Sequence, residues 1–284
     1  MKDEYMHSLI ATCLANPHVL AKLSSVQEQE GDRLPTEDLR INPQQLDLEG
    51  IRLTAGFITK TRHNPLRKTI PWTLKILRIT GLEIQVFADY TAPFLDRCKL
   101  GPLTEGERTR SFTEFLLKWL NSKDAHHRLV RDVVNHETIM HEVKQADVVN
   151  QRHRVIDSQF ASEYCIPFVR GLMRFNKTSS NPQKVIEALK GEINTLSSLE
   201  RKDFYFCYWR RDQSPSIELL ELDLVSAILL AQINGQRTIQ EIASKVNKDY
   251  DLGIDPASLV ETFQEAAVNG LINLHAKLKG SRCD

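Results

Sequence analysis

Three side chains invite a catalytic reading before any others. The stretch LVRDVVNHETIMHEV sets His136, Glu137 and His141 in the order His-Glu-x-x-x-His. A zinc hydrolase needs two imidazoles that reach one metal, and a carboxylate to take a proton from the metal-bound water. His-Glu-x-x-His supplies them because residues four apart share a helix face. Here the histidines are five apart. At about 100° per residue that turns the second through about 500°, leaving the rings about 140° apart. A local π-bulge would have to bring them together, and no Glu-rich motif follows downstream to complete such a site. His126 and His127 add imidazoles, but adjacent helical residues point in different directions. The pattern fits a helix that carries histidines better than a metallohydrolase, and no metal ligand set is expected in this chain.

Other catalytic patterns are missing from the sequence. Gly101, Gly106, Gly171 and Gly191 are isolated, so no Gly-rich phosphate loop forms, and no Gly-x-Ser-x-Gly elbow occurs. The five cysteines (Cys13, Cys98, Cys165, Cys207 and Cys283) are odd in number and scattered without a Cys-x-x-Cys pair. That excludes a zinc ribbon and gives no disulfide framework. Lysine plus arginine equals aspartate plus glutamate at 37 each, so the chain has no global bias towards nucleic acid or anionic lipid. The start, MKDEY, lacks the apolar run of a signal peptide, and no segment has the length and apolarity of a membrane span. A soluble cytoplasmic protein that is not itself an enzyme is the expectation.

The elements around these residues carry more information. Residues 204–211 (FYFCYWRR) and 216–222 (SIELLEL) are strand-like and flank a turn at 212–215. Alternation in the second puts Ile217 and Leu219 on one face, Glu218 and Leu220 on the other. Three helices are expected next. The first, over about 224–233, is apolar almost all round and stops at Asn234-Gly235. The second opens on a Thr238/Glu241 capping box. The third opens on Asp255-Pro256 and ends at Asn269-Gly270. A last short strand spans 271–274. This order is winged-helix-like, and such units take either nucleic acid or a peptide added as an extra strand. The third helix carries Asp255, Glu261 and Glu265 with no Lys or Arg, which disfavours phosphate contact and favours a peptide.

The runs ELDLVSAILLAQINGQRTIQEIASKV and LVETFQEAAVNGLINL resemble the PqqD-like fold, the leader-recognition element of ribosomal-peptide maturation systems. The resemblance implies that a precursor's leader docks as an added strand against the sheet and the third helix. The docking edge would then be residues 216–222. Alternate apolar side chains would be taken by Ile217, Leu219 and Leu222, with Leu259, Phe263 and Ala267 across the groove. Arg210 and Arg211 would meet acidic leader residues. Each of these positions also reads as ordinary core or surface.

The first half reads as helical: a broken pair around Pro17 over residues 5–20, a polar loop or arm at 27–42, and a helix over 46–59. Two helices meet near Gly81, and others run over 104–120 and about 125–145. Residues 62–94, with Pro71-Trp72-Thr73 and Phe87-Ala88-Asp89-Tyr90, together with FTEFL at 112–116, resemble the helical domain of the partner subunits of multinuclear non-haem iron oxidative enzymes. Those enzymes modify cysteines in ribosomally made peptides, as in 3-thiaglutamate and methanobactin biosynthesis. The match continues through Pro167–Phe175, read as one strand, and the helix Pro182–Lys190. The resemblance implies a heterodimer whose iron belongs to the other protein, with no cofactor in this chain. Trp72, Phe94 and Trp119 would be core or partner contacts.

The expected fold is therefore α+β: a helical partner-binding domain over 1–160, then a PqqD-like winged-helix domain over 161–284. The expected function is an adaptor that binds a precursor leader and presents it to the iron enzyme, with no nucleic-acid or membrane partner. The alternatives are a DNA-binding regulator using the basic run at Lys60, Arg62, Arg67 and Lys68, and a metallohydrolase using His136, Glu137 and His141.

Overall fold

The structure is a computed structural model that describes residues 2–15, 18–20, 22–23, 46–146, 157–191, 196, 198–212 and 214–276. The expected arm at 27–42, Gln213 in the turn and Cys283 lie outside these residues. The chain is mixed α+β and divides into two compact units, residues 1–134 with 186–196 and residues 135–185 with 197–284.

The described elements of the first unit are helical. They are α1 (Lys2–Ala15), α2 (Leu48–His63), the single turn α3 (Leu66–Thr69), α4 (Pro71–Ile79), α5 (Glu83–Cys98), α6 (Glu105–Trp119) and the first part of α7 (Ala125–Gln145). Their ends follow from local chemistry. The Asp47 carboxylate accepts from the Gly50 N–H at 2.9 Å and starts α2. Pro71 sits in the first turn of α4, where its missing N–H costs nothing. Gly81 has φ +74°, and the Leu82 and Gly81 N–H groups return to the Leu77 and Arg78 carbonyls, the double bond pattern that closes α4. A Thr104/Glu107 capping box opens α6. Phe87, Tyr90 and Phe94 from α5 and Phe112 from α6 are buried, each worth about 1.5–3 kcal/mol on transfer from water. The α2 residue His63 is packed into them, its ring stacked on Phe87 at 4.7 Å.

The second unit holds the rest of α7, β1 (Cys165–Val169), β2 (Leu172–Thr178), the start of α8 (Pro182–Lys190), β3 (Phe204–Arg210), β4 (Glu218–Leu222), α9 (Leu224–Ala231), α10 (Ile239–Tyr250), α11 (Pro256–Val268) and β5 (Ile272–Ala276). The capping box and the Asp255-Pro256 start are where the sequence put them. The first of the three helices is shorter than expected, ending at Ala231 with its C-cap at Gln232. At the end of α11, the Leu271 and Gly270 N–H groups bond the Ala266 and Ala267 carbonyls, with Gly270 at φ +75°.

One expectation is corrected here. Residues 167–175 are not one strand: the chain breaks at Arg170-Gly171 into β1 and β2, which belong to different sheets. Gly171 has φ +90°, and a Cβ there would stand 2.2 Å from the Arg210 carbonyl oxygen, so the corner requires glycine. The last strand does not join the β3–β4 pair. It forms a two-stranded antiparallel ladder with β1, Cys165 opposite Ala276 and Val169 opposite Ile272. The other sheet is an antiparallel meander in the order β2-β3-β4. Ile272, Leu274 and Cys165 bury one face of the β1–β5 ladder against Leu229, Ile242, Val246, Leu259 and Phe263 of the three helices.

Candidate functional site

Strand β3 is the hydrophobic spine of the meander, and its alternation makes two faces. Phe204, Phe206 and Tyr208 point one way and pack with Val143, Ile139 and Met140 of α7. Cys207 and Trp209 point the other way, with Met173. Burial holds the Cys207 thiol up at about 12, which makes it a structural rather than a reactive cysteine. Strand β4 pairs with β3 through Tyr208 opposite Leu219 and Phe206 opposite Glu221. Among the described residues no strand pairs with the outer edge of β4 or of β2.

The two edges differ. On β2, Arg174, Phe175 and Lys177 are exposed, and Lys177 is held by Asp203 at 2.7 Å. Charged side chains of this kind discourage strand addition. On β4, Leu219, Leu220 and Leu222 are half-buried, and the chain continues into α9 with Leu224 47% and Val225 39% exposed. The β4 edge therefore offers unpaired backbone groups beside apolar surface, which is what an added strand needs.

The candidate leader-binding residues do not form one groove. Ile217 and Leu219 pack with the Phe204, Phe206 and Tyr208 face. Leu222 lies on the opposite face with Met173, Cys207 and Trp209. Leu259 and Phe263, each 1% exposed, are core to the three helices, and Ala267 packs against that core. The arginines are engaged internally. Arg210 is buried and donates to the Lys144 carbonyl at 2.7 Å and to the Ala146 carbonyl. It thus supplies donors to carbonyls at the end of α7. Arg211 pairs with Glu218 at 2.9 Å and lies over the Trp209 ring at 4.5 Å. The edge's remaining acid, Glu221, is exposed. Its Oε2 accepts from the Asn181 amide at 3.3 Å, and among the described residues it has no ion-pair partner. Sequence reasoning missed Glu221 because SIELLEL breaks strict alternation at that point, which was the available signal.

The histidines of α7 are placed by an unbroken α-helix, so the angular mismatch between positions 136 and 141 stands. His136 is 8% exposed, with Nδ1 2.9 Å from the Tyr208 hydroxyl. Burial pushes its pKa down to about 4. Glu137 is buried and His141 half-buried. Among the described residues no group of three His, Cys, Asp or Glu side chains could hold a metal ion.

In the first unit, Phe94 is buried core. Trp72 is half-buried with the Lys75 and Lys190 ammonium groups over its ring at 5.7 and 5.6 Å. Trp119 donates to Asp89 Oδ2 at 2.7 Å and stacks on His127. In the basic run, Arg62 lies over Phe94 and Arg67 reaches Glu83 at 3.6 Å, whereas Lys60 and Lys68 are exposed. No described helix is long and apolar enough to cross a membrane.

The second unit also has a cleft of about 250 Å³ between the Arg170-Gly171 corner, Asn273 and His275 of β5, and the Asn234-Gly235 turn. Gly235 has φ +74°, and a Cβ there would lie 2.5 Å from the Phe168 ring. The Asn-Gly turn therefore both ends a helix and lets the backbone approach an aromatic face.

Comparison with protein-family models and with the curated proteins returns no match for the chain.

Proposed function

We propose that this chain is a non-catalytic recognition subunit: it holds the leader of a ribosomally made precursor peptide as a strand added to β4 and presents it to a partner non-haem iron enzyme. The observation that carries the reading is the asymmetry of the meander, with β2 guarded by exposed cations and β4 unpaired beside half-buried leucines. The resemblance of the first half to iron-enzyme partner subunits supports the assignment of the metal to the other chain. Holding the leader remotely raises the effective concentration of the peptide's reactive end at that metal, with no chemistry required of this chain.

Co-expression with a candidate multinuclear non-haem iron enzyme, followed by size exclusion and metal analysis of each chain, tests the proposal. A one-to-one complex with iron in the other chain is the expected result. A monomer that binds no partner and carries its own stoichiometric metal overturns it.

A further inference from the structure

We infer that the segment docking on β4 is basic, carrying a lysine or arginine opposite Glu221 and apolar residues opposite Leu219 and Leu220. The inference deepens the docking reading above and rests on it. Two observations set its sign. The arginines that would have drawn an acidic peptide are consumed within the fold, Arg210 on the α7 carbonyls and Arg211 on Glu218 and Trp209. The charge left at the edge is negative. Glu221 is exposed without an ion pair among the described residues, and Asp223, the exposed N-cap of α9, follows two positions on.

Period two then fixes the pattern. Ile217 and Leu219 share one face, on which Glu221 follows at period two, and Glu218, Leu220 and Leu222 share the other. An added strand meets Ile217, Leu219 and the acid Glu221 in turn on the first face, and on the second Glu218, already paired with Arg211, followed by Leu220 and Leu222. Its complement has apolar residues at two alternate positions and a cation at the third, with apolar residues between. An acidic residue at the third position would face Glu221 as a like charge, which cross-strand pairing penalises.

The test pans short displayed random peptides on the full chain. Enriched peptides are then titrated by fluorescence polarisation against the wild type and Glu221→Lys. Enriched sequences should carry Lys or Arg at one end of the three alternate positions, the third if the peptide runs parallel to β4 and the first if antiparallel. Changing that residue to Glu should weaken binding by about two- to tenfold, and Glu221→Lys should restore the loss. Peptides N-methylated at alternate residues provide the control, since blocking the N–H groups that face the edge abolishes strand addition without altering the protein. Peptides that bind with N-methylation sensitivity but no charge preference, or with an acidic one, overturn the inference and leave the docking reading intact. The absence of any N-methylation-sensitive binder overturns both. Glu221 is exposed, so its substitution does not put folding at risk.

Discussion

Acidification should destabilise this protein through two buried histidines before its carboxylates titrate. His63 is 5% exposed, caged by Phe87, Tyr90 and Phe94, with its Nε2 buried and unbonded among the described residues. His136 is 8% exposed against Tyr208. Each has its pKa lowered from 6.5 to about 4 in the fold, first by burial, and for His63 also by the charges of Arg62 and Arg108. In the unfolded chain both rings titrate near 6.5. The unfolded state therefore binds more protons between these two values. Stability is full above the unfolded pKa, falls as pH drops through that window, and levels off below the folded pKa. Each histidine costs about 3 kcal/mol over the whole window and about 2 kcal/mol between about pH 7 and pH 5. Against a typical total of about 5–15 kcal/mol that is a large loss. Urea unfolding followed by tryptophan fluorescence across that range measures it. His63→Phe and His136→Gln should each remove about half of the slope, the glutamine retaining a polar partner for the Tyr208 hydroxyl. Stability that stays flat from pH 7 to 5, or variants that keep the full loss, would refute the burial argument.

Three substitutions test the turns and caps. Gly171→Ala should cost at least about 3 kcal/mol in urea unfolding, because its Cβ meets the Arg210 carbonyl oxygen rather than a side chain that can move. Gly235→Ala should cost about 1–3 kcal/mol, part of it recovered in the double variant with Phe168→Ala, since the ring clash is relieved and the positive φ is not. Thr238→Ala removes a buried capping hydroxyl that accepts from the Glu241 N–H at 3.2 Å. It should lower the thermal midpoint, at a cost of about 1 kcal/mol.

Helices were far more legible in this sequence than strand partners. Thr238, Glu241, Asp255, Gly81 and Gly270 act within one turn of their own position, so their effect on helix ends can be read locally. The break at Gly171 was missed because Pro167–Phe175 is uniformly apolar or basic, and the reason for the glycine is the Arg210 carbonyl, remote in sequence. The same holds for β5: its strand character was visible, but its pairing with β1 rather than with the meander is a long-range choice that alternation does not encode. At the candidate site, the β3–β4 hairpin and its edge were legible. The roles of Arg210 and Arg211 were not, since two adjacent arginines at a strand end look alike whether they face solvent or the carbonyls at a helix terminus.

The β1–β5 ladder also governs the order in which the second unit can be completed as the chain emerges from the ribosome. The meander closes from neighbouring segments, once residue 222 has been made. Cys165, by contrast, waits for Ala276, and until Ile272 and Leu274 arrive the apolar faces of Leu259 and Phe263 lack their cover. Such late, non-local closure is slow and leaves apolar surface open in the interval. A nascent chain stalled or cut before residue 272 would present a finished β2-β3-β4 meander on an unfinished body. Chaperone binding to that open surface would then decide between folding and aggregation.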